Sequence, residues 1–170
     1  LTSADRGVRF DVDADGDLDQ VAWTEAGTDV AFLALDRDGD GRVSSGPELI
    51  GDRTVPGARN GLSALTKLAA QSEPLSTVHS GIPLFETLRL WTDANHNGAS
   101  EADELRPAGD ELAAIGLGYS PHRRLDSHGN QSRFRGFVHL RTEPGRNRAL
   151  TPEDDRIRRR YIYEVCLVTQ

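Results

Sequence analysis

The 170-residue sequence predicts an α+β fold. Three observations carry that expectation. Aspartates alternate with other residues in short glycine-containing stretches, an apolar stripe at helical spacing covers residues 61–70, and beyond residue 118 the apolar period shortens to two. The expected arrangement mounts acidic loops on short strands and helices and packs them with a small C-terminal antiparallel sheet. A single domain is expected over 1–170, with a loop-bearing lobe at 1–105 and an antiparallel β region at 106–170.

The first loop lies in residues 7–24. Val8 and Phe10 alternate before it and Val21 and Trp23 after it, which is strand periodicity and predicts a hairpin. Between them Asp11, Asp13 and Asp15 take the first, third and fifth positions, with Gly16 sixth. Asp17 offers its carbonyl at the seventh and Asp19 stands at the ninth. The twelfth residue is Ala22, where a bidentate Glu would be expected. Asp19 can replace part of it, and the rest must come from water or from elsewhere in the chain, with Glu25 or Asp52 as candidates.

After Ala26-Gly27, Thr28 or Asp29 is expected to cap a short helix through Leu35, with Val30, Ala31, Leu33 and Ala34 on its apolar face. The second loop follows and is the strongest of the three. Asp36, Asp38 and Asp40 stand two apart, Gly41 is sixth, Arg42 seventh and Val43 eighth. Three carboxylates this close repel unless a cation neutralises them. A hard divalent ion takes six to eight oxygens at about 2.3–2.6 Å, which a looping chain with oxygens at alternate residues supplies. This is the pattern of an EF-hand calcium loop. Glu48 stands thirteenth, one residue late, because Ser44-Ser45-Gly46 absorbs an extra position before Pro47. Val43 is expected to pair with a neighbouring loop, and Leu49-Ile50 to start a helix.

Asn60 is expected to cap a helix over 61–70, with Leu62, Leu65, Leu68 and Ala69 as its stripe. Residues 71–81 hold one carboxylate, Glu73, and read as a vestigial loop without metal. A second helix is expected over 82–91, burying Leu84, Phe85, Leu88 and Trp91. The third loop then fits the twelve-residue spacing: Asp93, Asn95, Asn97, Gly98, the Ala99 carbonyl, Glu101 and Glu104. Ser100 at the eighth position weakens pairing with another loop, and His96 should face solvent. An exit turn at 105 and a short helix over 110–115 follow. A hairpin then turns at 126–130, with Phe134, Gly136, Val138 and Leu140 on one face and Phe137 on the other. Residues 142–153 read as a polar loop and 161–168 as a final strand. Cys166, the single cysteine, excludes an internal disulfide and should be a small buried residue.

From Phe10 to Asp52 the text resembles a bacterial calcium-binding module of secreted proteins, including large RTX-type (repeats-in-toxin) proteins. The residues that carry the likeness are Phe10-Asp-Val-Asp-Ala-Asp-Gly-Asp, Leu33-Ala-Leu-Asp-Arg-Asp-Gly-Asp-Gly-Arg and Glu48-Leu-Ile-Gly-Asp52. The resemblance extends to about residue 140 and implies EF-hand-like calcium binding. Some similar modules cleave themselves after an Asp-Pro bond. This sequence has no Asp-Pro dipeptide, so that activity is not carried over.

Net charge is −7, and 13 of the 27 acids lie in the three loops. Nineteen of the 20 basic residues are Arg, and 11 of those lie beyond residue 120. Three divalent ions would bring −7 to about −1, so ion loading and folding should be coupled. No run of 18 apolar residues is present, so no membrane span is expected. A chain that starts at Leu1 and lacks Met reads as a mature or excised fragment, secreted or extracellular, with the periplasm as a further compartment.

The expected function is a calcium-binding structural module holding two to three Ca2+. A calcium-dependent protein- or polymer-binding module, dockerin- or adhesin-like in role, is the alternative, with Leu49-Ile50 or the sheet as its surface. A calcium-requiring enzyme is the third reading. No phosphate loop, zinc-protease helix or nucleophile elbow occurs, so no enzyme is expected. The arginines at 123, 124, 133, 135 and 156–160 suggest an anionic polymer, but no aromatic platform accompanies the run, and nucleic acid is not expected as a partner.

Overall fold

The computed structural model describes residues 1–72, 87–141 and 159–169, and β structure dominates them. Strands β1 (Val8–Phe10) and β2 (Asp19–Val21) form a hairpin. Strands β3 (Phe32–Leu35), β4 (Leu88–Trp91) and β5 (Leu105–Pro107) form a second antiparallel sheet in that order. In the third, β8 (Gln131–Leu140) is central. It pairs with β6 (Leu112–Ile115) and β7 (Ser120–Leu125), and with β9 (Arg159–Cys166). Among the described residues, α-helix is concentrated in α1 (Gly61–Ser72) and the single turn α2 (Ala108–Glu111). Short 3-10 turns occupy Ala4–Arg6 and Gly46–Glu48. The α+β expectation is therefore corrected to a β-rich fold of three antiparallel sheets.

The sheet β3-β4-β5 shows why the sequence misled. Leu33 and Leu90 stand opposite each other and enter one core with Leu62 and Leu65 of α1, Leu112 and Val138. Phe32 and Trp91, also opposite, point the other way and join Phe10 and Trp23 in a second core. A strand covered on both faces reads as a continuous apolar run, and such a run cannot be told from a buried helix by periodicity. The expected helix through Leu35 is thus β3, and the end of the expected helix over 82–91 is β4. The rest of that segment, like the vestigial loop at 71–81 and the polar loop at 142–153, falls wholly or mainly outside the described residues. Leu112–Ile115, expected as helix, is strand β6, with only Ala108–Glu111 helical before it. Leu49 does not start a helix: it is extended, bridges Ala34, and both it and Ile50 pack against the cores.

Several elements form as expected. Asn60 Oδ1 accepts the Ser63 amide at 2.6 Å and caps α1. The hairpin turn at 126–130 carries Gly129 at φ 90°. Asn130, buried in that turn, donates Nδ2 to the Thr2 carbonyl at 2.9 Å and accepts the Val168 amide on Oδ1 at 3.0 Å. It ties both ends of the described chain to one hairpin. Cys166 is a correction: it is exposed at the end of β9, where Arg133 Nη1 donates to its sulfur at 3.4 Å. No helix among the described residues is long and apolar enough to cross a membrane.

Candidate metal centres

Each acidic loop connects two extended segments. The first joins β1 to β2, the second joins β3 to Leu49, and the third joins β4 to β5. Strands flank the first and third loops, whereas the second leaves β3 and ends in the 3-10 turn Gly46–Glu48.

The three loops nevertheless share one backbone geometry. Their sixth residues, Gly16, Gly41 and Gly98, have φ of 92°, 80° and 73°. Their fourth residues, Ala14, Gly39 and His96, have φ of 61°, 76° and 60°. A left-handed conformation is uncommon for Ala or His, and here the loop imposes it. The reward is a turn that aims backbone amides at the first aspartate. The Ala14 and Gly16 amides donate to the two carboxylate oxygens of Asp11, at 2.6 and 3.1 Å. The Gly39 and Gly41 amides donate to Asp36 in the same way, at 2.8 and 3.1 Å. Asn97 and Gly98 do so to Asp93, at 3.1 and 2.9 Å. At the seventh position the amides of Asp17, Arg42 and Ala99 donate to the side chains of Asp15, Asp40 and Asn97, at 2.9, 2.8 and 2.7 Å.

These turns gather the oxygens. Asp11, Asp13 and Asp15 each present a carboxylate oxygen within 4.8 Å of the others, and so do Asp36, Asp38 and Asp40. In the third loop Asn95 and Asn97 replace two carboxylates, and both amide groups donate to Glu101, at 3.4 and 2.7 Å. The Asn97 amide, with Glu104 next, holds the Glu101 carboxyl below its ordinary range.

The closing glutamates are buried. Glu48 accepts the Arg37 amide on Oε1 and the Ser44 amide on Oε2, at 3.3 and 2.8 Å. Glu104 accepts the Ala94 amide on Oε1 at 2.8 Å and the Trp91 indole N–H on Oε2 at 3.3 Å. Thus Glu48, although thirteenth, folds over its loop as Glu104 does, and both meet the second residue. Asp93 is buried too. No ion pair joins Glu48, Asp93 or Glu104 to a basic side chain among the described residues. Amides compensate a buried carboxylate in part, but a cation compensates it better. This donor set fits a hard divalent ion.

The first loop remains the least complete. Ala22 is buried and carries no oxygen on its side chain. Asp19 lies at the start of β2 opposite Phe10. Asp52 acts on Arg133 and Glu164 of the third sheet. Glu25 heads a turn in which its carbonyl accepts from Thr28.

Sequence reasoning missed how the loops join. The Gly46 amide donates to the Asp11 carbonyl at 2.8 Å, linking loops one and two. Ser100 links loops two and three through Val43. His96 does not simply face solvent: it is half-buried, with Nε2 2.9 Å from the Arg6 carbonyl. The loops also rim one aromatic core. Phe10 immediately precedes Asp11, Trp91 lies two residues before Asp93, and both rings pack against Trp23, with centroids at 5.2 and 5.4 Å.

Comparison with known proteins finds a bacterial relative. The chain is 32% identical over 130 residues to the iron-regulated protein FrpA of Neisseria meningitidis serogroup C, an alignment covering 73% of this chain and 11% of that relative. The sequence model of the SPM domain matches residues 1–149. A match over that much of its length places the chain in a family: it belongs to the SPM domain family.

Proposed function

We propose that this protein is a calcium-binding structural module that folds or rigidifies on taking up two to three Ca2+. The observation that supports it best is the common geometry of the loops, with positive φ at the fourth and sixth residues and amides converging on the first aspartate. In this reading Asp36, Asp38, Asp40, the Arg42 carbonyl and Glu48 hold one ion. Asp93, Asn95, Asn97, the Ala99 carbonyl and Glu104 hold a second, and Asp11, Asp13, Asp15, Asp17 and Asp19 a third. A bound ion neutralises crowded carboxylates and fixes strand ends that share the aromatic core. In this reading the module is a secreted one, where sites that bind at about 10⁻⁴–10⁻³ M suffice. The proposal gives it no catalytic role. As a partner-binding surface Leu49-Ile50 is unsuited, since both side chains pack inward.

Ions that bind only the folded state add about 2.7 kcal/mol each when free calcium is 100 times Kd. Calorimetric titration of EDTA-stripped protein with calcium, then magnesium, tests the reading, with thermal melts alongside. The expected result is two or three calcium ions per chain, a large rise in melting temperature and little response to magnesium. Absence of binding would reduce the loops to solvated turns and overturn the proposal.

A further inference from the structure

Strands β7, β8 and β9 together carry Arg123, Arg124, Arg133, Arg135, Arg159 and Arg160 against one acid, Glu164, in a chain whose net charge is −7. The two faces of this sheet differ. Phe134, Leu140 and Ile162 turn inward to the core, and the Glu164 carboxylate turns with them to accept the Gly61 amide at 3.2 Å. Register places Arg135 opposite Tyr163 and Phe137 opposite Tyr161 on the outer face, with the buried His139 opposite Arg159. Tyr161 and Tyr163 are 58% and 45% exposed.

The rings on this face carry the arginines rather than forming an open stacking platform. The Arg135 guanidinium sits over the Tyr161 ring at 5.0 Å, and Arg159 over Phe137 at 3.8 Å. His122 packs on Tyr163 at 5.0 Å and meets Ser132 Oγ through Nδ1 at 2.8 Å. No carboxylate among the described residues pairs with Arg135 or Arg159. The local field is positive enough to act on the imidazole: burial first, then Arg124 and Arg135, hold His122 below its ordinary value.

We infer that the outer face of β7-β8-β9 binds an acidic polysaccharide, a chain of sugars bearing carboxylate or sulfate groups. The charge asymmetry identifies a polyanion. Stacking on rings pre-orders the two guanidinium forks, which then offer bidentate N–H pairs to oxyanions. A single-stranded nucleic acid would need open ring faces for its bases. Here Arg135, Arg159 and His122 occupy faces of Tyr161, Phe137 and Tyr163, leaving guanidinium N–H groups as the outward chemistry.

The test is affinity measurement with calcium-loaded protein at low salt, using polygalacturonate and heparin as probes and neutral dextran and oligo-dT as comparators. Both acidic polysaccharides should bind and dextran should not. The pair Arg135→Gln and Arg159→Gln should weaken binding about tenfold or more, as loss of charge-assisted bidentate contacts does. Arg59→Gln, beside the N-terminus of α1 on the inner side of the sheet, should change it less than about twofold. Tyr161→Phe should keep affinity and Tyr161→Leu reduce it, because the ring supports Arg135. Failure of both polysaccharides to bind would overturn the assignment, as would equal loss in Arg59→Gln. Unchanged affinity in the double variant would instead locate the contact at the acidic loops through bridging calcium. Tighter binding of oligo-dT than of either polysaccharide would replace the proposed ligand by a nucleic acid.

Discussion

The hydroxyl of Ser100 accepts the Val43 amide at 2.7 Å and donates to the Val43 carbonyl at 3.1 Å. Both are eighth residues of their loops, and both are buried. A side chain here does the work that a strand-to-strand backbone pair does when a branched residue stands at each eighth position. The serine that was expected to weaken loop pairing is the group that makes it.

Replacing Ser100 by Ala should therefore leave the Val43 amide and carbonyl buried and unpaired. A cost of about 1–3 kcal/mol is expected, read as a lower urea midpoint. Ser100→Thr, which keeps the hydroxyl, should lose less. Equal stability of Ser100→Ala and the parent would show that this link contributes nothing.

Glu104 couples the third loop to the core through its bond to the Trp91 indole. Calcium titration should change tryptophan fluorescence, and Glu104→Gln should remove most of that change and one ion from the stoichiometry. Asp36→Ala should also remove an ion, from the second loop. An unchanged fluorescence response in Glu104→Gln would place the reporter at Trp23 instead.

Gly46 tolerates no side chain. A Cβ there would lie 2.0 Å from the Val12 carbonyl oxygen, which is backbone and cannot swing aside. Gly46→Ala should force loops one and two apart and cost about 1–3 kcal/mol or more. Thermal melts in saturating calcium read this. A parent-like melting temperature would mean that the junction relaxes freely.

Glu164 is a pH-dependent liability. Burial raises its carboxyl above the ordinary value of 4.5, although Arg133, at 3.8 Å, and the Gly61 amide draw it down. A carboxyl whose folded value exceeds its unfolded one favours folding when protonated. That contribution is complete below about 4.5 and is lost as pH rises through the raised value. Glu164→Gln should thus stabilise the protein near neutral pH relative to the parent, with the advantage shrinking below the ordinary value. Denaturation midpoints across that window check the sign, and a loss at neutral pH would show that the Arg133 pair outweighs burial.

The loops were legible as turns because aspartate side chains bond nearby amides and glycine at a fixed offset takes positive φ. The hairpins at Val8–Phe10 and Gln131–Leu140 were legible because one face of each is apolar. Phe32–Leu35 was not: Phe32 and Leu33 enter different cores, so no alternation survives in the text. The Leu-Arg-Pro at 105–107 looked like a turn, yet Pro107 is acceptable on β5 because β5 is an edge of its sheet. The outer aromatic face was visible in principle, since Tyr161 and Tyr163 alternate with Ile162 and Glu164. The arginine run beside them drew attention to charge alone.

Asn130 has a mechanical consequence. The Thr2 carbonyl and the Val168 amide meet on one side chain, and the Thr2 amide bonds to the Trp23 carbonyl at 2.8 Å beside the Ala22–Val168 bond at 2.9 Å. Polypeptide attached at both ends would enter and leave at one point. A pull along it would load this small clasp first and reach the acidic loops only after the clasp gave way. In a tethered chain under shear, Asn130 rather than any aspartate would set the force at which the module begins to open.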